Sequence, residues 1–516
     1  MGTARLICIC LDSMDPDLIR RWGEEGQLPH LQKLIAQGVS GDVTLPPGFA
    51  THAMWPSFFT GTSPARHGWY YDRQLVRGGH RAAHPGISAI KRRPFWEALS
   101  RQGRRVAVLN VPKAPLAERL NGVQLVSWGT HDYEYPEVQS QPPGLAAEIV
   151  TRFGPDPLGH CDAFDRDPGS RDRFRRGLRR RVETAAEIAC HVLAQGDWDL
   201  FVVGISDAHC AGHQLWDLHE RGDGDGAPSS ETGLTDPVKE VYRAIDSAVG
   251  RLVSLTGALV PAMVFAGPGM GSYYPVSHVL DDVLLAHENV ARPARSVGSA
   301  APGSSNRWID HARSIGRTLT PPVVRWRLQP LVARLNETEA AWDLGWRSCF
   351  VLPHHETHGA IRVNLEGREP KGRISPASYD DYCGALARYL EGLENADTGE
   401  KLVRRVIRTH SSYPGEYLKD LPDLMVEWRR SAPVFRVRAP EIGTIDVAAD
   451  KTYLPHRSGD HKLDSMLIAS GPAFDDGGLP DRIAMTDLAP TIASLIGADL
   501  TDVDGRPLTA PCFGPR

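Results

Sequence analysis

Short apolar runs alternate along the chain with segments of helical periodicity. Four runs have the length and composition of buried strands: Leu6–Leu11, Val106–Leu109, Leu200–Ile205 and Ala262–Phe265. Between them, apolar residues recur at helical spacing, and the first such helix begins with Asp15 as N-cap and Pro16 at its first position. Strands that alternate with helices predict an α/β fold with a doubly wound, mainly parallel sheet flanked by helices.

The composition changes after Gly271. The stretch Ser296–Ser305 is rich in Ser, Gly and Ala, and the segment Val324–Trp346 is rich in Trp and Arg. Strand-like sequence resumes near Ala360 and continues to a last predicted helix, Asp487–Ile496. We therefore predict an α/β core formed by residues 1–275 and 425–516, and an inserted lid or cap over residues 276–424.

Composition and charge are those of an ordinary globular protein. The 516 residues are 41% hydrophobic and 23% charged, with a formal net charge of −5. Such a balance indicates no general affinity for nucleic acid. The one basic cluster, Arg171–Arg181, precedes a helical pattern and is interpreted as a solvated helix face.

Cysteine usage and hydropathy bear on the compartment. Eight cysteines show no CxxC pair, and Cys8 and Cys10 alternate within a predicted strand as core thiols. The chain opens almost directly into Leu6–Leu11 without a signal-peptide pattern, and no apolar run has the length of a membrane span. We predict a cytoplasmic protein without nucleic-acid or membrane partners, and the oligomeric state stays open.

Polar groups follow two of the predicted strands. Asp207, His209 and His213 come within seven residues after Leu200–Ile205, and Asp12 directly follows the first strand. Ligand sites in open α/β sheets lie at the carboxyl ends of strands, and imidazole and carboxylate groups there suit Zn²⁺ or a similar ion. The alternatives are hydrogen-bonded surface histidines and a capping aspartate.

Two further segments carry candidate chemistry. Residues 51–68 offer several hydroxyls, and Thr51, Ser57, Thr60 and Thr62 are equally plausible nucleophiles on chemical grounds alone. A third histidine-rich turn, residues 456–461, ends at His461.

These pieces together resemble the alkaline-phosphatase superfamily, and most closely its type I phosphodiesterase/nucleotide-pyrophosphatase and predicted phosphohydrolase/phosphomutase branch. The matching segments come in family order: Leu11–Asp15, Thr51–Gly68, Asp207–His213, Gly267–Gly271, Gly459–His461, Asp487–Ile492 and Asp504–Leu508. The segment Phe58–Gly68 and the two final segments are the most specific of these.

The resemblance implies a two-metal site with a threonine or serine nucleophile. It assigns Thr51 as nucleophile, Asp12 as the first aspartate, and His213 and His461 as ligands of one ion. Two departures alter this set. His209 stands where the family has aspartate, for which Asp207 could substitute, and Gly267-Pro268 replaces the Asp-His pair of the second ion.

The expected function is metal-dependent hydrolysis, or transfer, of a phosphate ester or phosphodiester, with a small anionic, phosphorylated substrate. Zn²⁺ is the expected ion, with Mn²⁺ and Fe²⁺ as alternatives, and the first ion site is more complete than the second. Two other readings stay open: an altered metal set that serves non-hydrolytic chemistry, and a non-catalytic binding protein.

Overall fold

The computed structural model describes most of the chain. The described residues are 4–130, 135, 137–158, 167–222, 236–257, 260–274, 276, 278–288, 344–355, 357–430, 433–447, 457–472, 474 and 479–508. The predicted loose stretch Ser296–Ser305 and most of the segment Val324–Trp346 lie outside them.

The strands, in chain order, are β1 Ile7–Asp12, β2 Gly38–Thr44, β3 Gln74–Leu75, β4 Ala82–Ala83, β5 Val106–Leu109, β6 Gly122–Val126, β7 Gln139–Gln141, β8 Leu200–Ile205, β9 Ala262–Gly267, β10 Met270–Ser272, β11 Cys349–Leu352, β12 His358–Val363, β13 Glu394–Asn395, β14 Val403–Arg408, β15 Leu424–Trp428, β16 Arg436–Ala439, β17 Gly443–Asp446, β18 Gly459–His461, β19 Met466–Ser470 and β20 Ile483–Ala484. The α-helices are α1 Pro16–Glu24, α2 Pro29–Gln37, α3 Ala50–Thr60, α4 Pro64–His67, α5 Phe95–Arg101, α6 Gly144–Phe153, α7 Pro168–Ala194, α8 Asp207–Gly222, α9 Pro237–Thr256, α10 Val279–His287, α11 Tyr379–Glu391, α12 Thr409–Ser412 and α13 Leu488–Leu495.

The chain forms two compact units. The first comprises Met1–Trp69, Gly86–Tyr273 and His456–Arg516, and the second comprises Tyr70–Pro85 and Tyr274–Pro455. The sequence division placed residues 425–455 in the core, but β15 pairs with β12 and β14 in a sheet of the second unit. Residues 70–85 also belong to the second unit, as the β3–β4 hairpin. Short segments of this kind carry no periodic signal that would assign them.

The first unit is built on one large sheet. Its strand order is β20-β2-β19-β9-β1-β8-β5-β6-β7. Strand β1 lies between β8 and β9 and is parallel to both, whereas β19 runs antiparallel between β9 and β2. The predicted mainly parallel α/β sheet is thus confirmed.

Both faces of this sheet are covered. In β1, Ile7, Ile9 and Leu11 belong to one apolar core, together with residues of α1, α2, α7, α8 and α9. Cys8 and Cys10 belong to a second core, together with residues of α3, α5 and α13. This alternation is the two-residue period of a strand buried on both faces, so the doubly wound arrangement follows from the sequence.

The second unit is mainly antiparallel. It contains a four-stranded sheet of order β11-β12-β15-β14 and a three-stranded sheet of order β13-β16-β17. Its core includes apolar side chains of α10 and α11, such as Leu280 and Leu386. No helix among the described residues is long and apolar enough to cross a membrane.

Candidate metal centre and nucleophile

Three strand ends of the large sheet bring the predicted ligands to one edge. Leu11 of β1 is in register with Ile205 of β8, and Asp12 is in register with Gly267 of β9. Helix α8 starts two residues after β8, at Asp207. Because β1, β8 and β9 are parallel, Asp12, the start of α8 and the turn after Gly267 meet at their carboxyl ends.

His209, His213 and His461 form a three-histidine cluster at this edge. The ring centroids are 4.7 Å apart for His209–His213, 5.0 Å for His209–His461 and 4.8 Å for His213–His461. One ring nitrogen of each lies within 4.8 Å of the other two. His209 and His213 share a face of α8 through their i, i+4 spacing. Three imidazole nitrogens at these mutual distances form a donor set that suits a divalent transition metal ion.

Backbone pairing carries the third histidine to the other two. Strand β18 pairs with β10 so that His461 is opposite Met270, and the backbone N–H of Ser458 donates to the carbonyl of His213 at 2.7 Å. Gly212 lets β10 pack closely against α8, because a Cβ atom at this position would lie 2.6 Å from the methyl carbon of Met270. A residue 248 positions after His213 in the chain is thereby placed beside it.

The Nδ1 atom of each histidine has a partner outside the cluster. His209 Nδ1 lies 2.9 Å from Asp12 Oδ2, His213 Nδ1 lies 2.9 Å from the carbonyl oxygen of Gly459, and His461 Nδ1 lies 3.4 Å from Ser13 Oγ. Metal-binding histidines usually donate their second ring N–H to a carboxylate or a carbonyl in this way. With Nδ1 donating, Nε2 is the atom that can bind an ion, so the residues present fit one metal ion.

Asp12 also controls the charge of His209. Burial alone would lower the pKa of His209, but the charge and hydrogen bond of the Asp12 carboxylate raise it above its ordinary value. A proton and a metal ion compete for the same imidazole. The Asp12 carboxylate, itself 2.9 Å from His209 Nδ1, can therefore compensate either a proton or a metal cation on this ring.

Asp207 is placed differently from the prediction. Its Oδ1 atom accepts a hydrogen bond of 2.8 Å from Arg181 Nε, and both side chains are only 2% exposed. Among the described residues, the groups of side chains that could hold an ion do not include Asp207. The interpretation of Arg171–Arg181 as a solvated face is accordingly wrong for Arg181, which lies in the buried stripe of α7 with Leu178 and Ala185.

The turn that would hold a second ion is filled by other contacts. A Cβ atom at Gly267 would lie 2.6 Å from Ser465 Oγ, and one at Gly269 would lie 2.5 Å from Asp15 Oδ2. The same Asp15 oxygen is 2.8 Å from the ammonium of Lys462. Gly267 and Pro268 offer no side-chain donor, so these residues do not fit the second ion of the family pattern.

The four candidate hydroxyls differ in their burial and in their hydrogen bonds. Thr51 is the second residue of α3 and is half-buried. Ser57 is fully buried and lies 3.0 Å from His67 Nε2, whereas Thr60 donates to the Pro56 carbonyl at 2.6 Å and lies 2.8 Å from the Thr62 hydroxyl. Thr51 is thus the one residue of these four that is not fully buried.

Three partners of the site were not predicted from the sequence: Arg181, Ser13 and the Gly459 carbonyl. Arg181 was detectable in principle, because it falls on the same helical stripe as Leu178 and Ala185. Ser13 has a φ of 60°, which is uncommon for a residue other than glycine. The local sequence pattern does not predict this backbone conformation.

The comparisons with known proteins concern the fold and the family of the chain. The fold is the α/β fold of alkaline-phosphatase-like enzymes. Residues 6–453 match the model of the type I phosphodiesterase/nucleotide pyrophosphatase family. The chain belongs to this family and is an enzyme of the phosphoester-hydrolase class.

Solved structures match along nearly the whole chain. Phosphonoacetate hydrolase from Sinorhizobium meliloti 1021, in complex with phosphonoacetate, is 13% identical with a TM-score of 0.55, and 96% of each chain is covered. Human ectonucleotide pyrophosphatase/phosphodiesterase 5 is 12% identical with a TM-score of 0.47, and 97% of each chain is covered. A comparison with curated protein sequences found no significant match. At 13% identity, the likeness to phosphonoacetate hydrolase shows the fold and nothing more.

Proposed function

We propose that the protein hydrolyses a phosphate ester or phosphodiester with Thr51 as nucleophile and one divalent ion on His209, His213 and His461. The observation that carries the proposal is the three-histidine cluster, with Asp12, Ser13 and the Gly459 carbonyl against its Nδ1 atoms. Zn²⁺ is the ion we expect, because structural and catalytic zinc sites commonly use neutral imidazole nitrogens. The substrate is a small anionic molecule that carries the phosphoryl group.

The position of Thr51 supports its role. It stands in the first turn of α3, where helix geometry leaves backbone N–H groups without partners inside the helix and creates a site that favours anions. A phosphoryl group beside Thr51 would therefore be bound by amides of the same turn. The rival hydroxyls of Ser57, Thr60 and Thr62 are each buried and hydrogen-bonded within the protein.

The reaction we propose has two displacements. The Thr51 oxygen attacks phosphorus, its proton passes to water, and the ester P–O bond breaks to release the alcohol, which takes up a proton from water. Water then attacks the phospho-threonine and restores the free hydroxyl. A bound divalent ion would supply Lewis-acid stabilisation of the phosphoryl oxygens. Asp12 and Ser13 would orient His209 and His461, as partners of their Nδ1 atoms.

The absence of side-chain donors at Gly267-Pro268 favours one ion over two. The close contacts of Gly267 with Ser465, and of Gly269 with Asp15, mean that longer side chains could not enter this turn without displacing neighbours. Asp12 and Asp207, predicted as ligands, are assigned supporting roles here: Asp12 orients His209, and Asp207 holds Arg181. The cytoplasmic location stays a prediction.

The test combines metal content with turnover of an activated phosphodiester such as bis(p-nitrophenyl) phosphate. We expect His213→Ala and His461→Ala to lose bound metal, and Thr51→Ala to retain metal while its turnover falls at least about 1,000-fold, the order expected for loss of a covalent nucleophile. Ser57→Ala is the matched control in the same helix and should keep activity. Full activity of Thr51→Ala would refute the nucleophile, and unchanged metal content in both histidine variants would refute the cluster.

A further inference from the structure

We infer that Arg181 is a positioning residue of the three-histidine centre, which it serves by holding the first turn of α8 at two points. The inference rests on the proposed metal site and adds a residue that lies outside its ligand set. Arg181 belongs to α7, and its guanidinium group donates hydrogen bonds to Asp207 and Cys210 of α8, which lie before and after His209 in the sequence.

The contacts of the guanidinium group define this role. Its Nε atom donates to Asp207 Oδ1 at 2.8 Å, and one terminal nitrogen donates to Cys210 Sγ at 3.2 Å. The other terminal nitrogen lies 3.5 Å from Asp156 Oδ2. Asp207 and Cys210 are three residues apart, so they lie on one side of the first helical turn. Two fixed points at this spacing determine both the rotation of the helix about its axis and its position along that axis.

The first turn of a helix is its least constrained part, because its backbone N–H groups lack partners within the helix. His209 lies in this turn, and His213 follows one turn later on the same face. His461 lies on β18, which pairs with β10 and is hydrogen-bonded to α8 at His213. A small rotation of the first turn would therefore move the His209 imidazole relative to both His213 and His461. The rigid guanidinium fork prevents such a rotation, since its planar donors require Asp207 and Cys210 to keep a fixed separation.

The Arg181 side chain is buried and closely packed against its neighbours. The side chain is 2% exposed, and a Cβ atom at Gly129, where φ is +76°, would lie 3.2 Å from Arg181 Cδ. A buried ion pair gives little net stability compared with well-packed apolar residues, so stability alone does not explain this arginine. Fixing the geometry of a neighbouring site does explain it.

The matched control is a second arginine that joins the same two helices. Arg171 of α7 donates to Asp217 Oδ2 of α8 at 2.8 Å and is also largely buried. Asp217 lies one turn beyond His213, outside the segment that carries the two histidines. Loss of Arg171 therefore removes a comparable link between α7 and α8 without releasing the first turn of α8.

The experiment measures metal binding and spectroscopy on the purified full-length protein, with Zn²⁺ affinity from chelator competition and Co²⁺ absorption as a report of coordination geometry. The variants are Arg181→Lys, Arg181→Met combined with Asp207→Asn, and Arg171→Gln. The double variant leaves no buried unpaired charge, so it remains informative if Arg181→Lys fails to fold. We expect both Arg181 variants to weaken Zn²⁺ binding about 10- to 100-fold and to alter the Co²⁺ spectrum. Arg171→Gln should change affinity less than about 2-fold.

Two results would overturn the inference. If the folded double variant binds Zn²⁺ with the wild-type affinity and Co²⁺ spectrum, Arg181 has no positioning role, although the proposed metal centre stands. If Arg171→Gln weakens binding as much as the Arg181 variants do, the effect is one of general stability. Failure of the wild-type protein to bind either ion would instead refute the proposed function itself.

Discussion

Acidification should destabilise the protein through one buried histidine, His67. Its Nδ1 atom accepts a hydrogen bond of 3.1 Å from the Trp69 backbone N–H, so the ring proton resides on Nε2, 3.0 Å from Ser57 Oγ. Protonation would require Nδ1 to give up its donor and would bury a charge. Burial accordingly lowers the pKa of His67 to about 3.

The sign and size of the effect follow from linkage. An unfolded histidine has a pKa of about 6.5, so below that pH the unfolded chain binds a proton that the folded chain does not. The contribution of His67 is fully present above about pH 6.5 and is lost as the pH falls towards 3. Each pH unit within this window lowers the free energy of unfolding by about 1.4 kcal/mol, so the loss between pH 8 and pH 5 is about 2 kcal/mol.

The assay is urea denaturation of the wild-type protein and His67→Gln at pH 8, 6.5 and 5. Glutamine can donate to Ser57 and accept from Trp69 but cannot be protonated. Between pH 8 and pH 5, the free energy of unfolding should fall by about 2 kcal/mol less in His67→Gln than in the wild type. His30→Gln, at an exposed position in the same unit, controls for the loss of a histidine. Equal losses in the wild type and His67→Gln would refute the assignment of a neutral buried imidazole.

A buried glycine, the bound metal ion and a helix-capping aspartate should each contribute measurably to stability. Gly204→Ala should lower the free energy of unfolding by about 1–3 kcal/mol or more, because the new Cβ atom would lie 2.2 Å from the Asn110 carbonyl oxygen. At Gly144 a Cβ atom meets open space, so Gly144→Ala is the control and should leave thermal denaturation unchanged. Chelation should lower the unfolding free energy by about 2.7 kcal/mol relative to protein with free metal at 100 times its Kd, and His213→Ala should show no such shift. Asp15→Ala should cost about 1–2 kcal/mol in denaturant titrations, because Asp15 accepts from the Leu18 N–H and pairs with Lys462; an unchanged midpoint would contradict that role.

The sequence predicted four adjacent strands of the large sheet, β1, β5, β8 and β9, but not β2, β6, β7 or β20. The strands β5 and β8 begin and end where the apolar runs do, because an uninterrupted buried run signals a central parallel strand. The strand-end pattern supplied Asp12, His209 and His213, and the resemblance added His461 as a ligand of the same ion as His213. Asp207 shows why local proximity was insufficient: its carboxylate lies two residues from His209, yet the buried Arg181 of a different helix binds it.

The second unit was harder to delimit for a physical reason. Its antiparallel strands are short and its sheets join distant segments, as when His358 of β12 is in register with Glu427 of β15. Such pairings depend on contacts between residues far apart in sequence, which periodicity within a window cannot reveal. The hairpin of β3 and β4, only two residues per strand, gave no signal of its own.

β19 is an interior strand of the large sheet, and its late position in the sequence affects how the sheet forms during translation. β19 lies between β9 and β2, yet its residues 466–470 are synthesised after the whole of the second unit. At translation rates of about 5–20 residues per second, β9 waits roughly 10–40 s for this neighbour, with a long open edge that could pair with another chain. His461, five residues before β19, arrives in the same interval. The nascent chain thus receives the strand between β9 and β2 and the third histidine of the cluster almost together, late in synthesis.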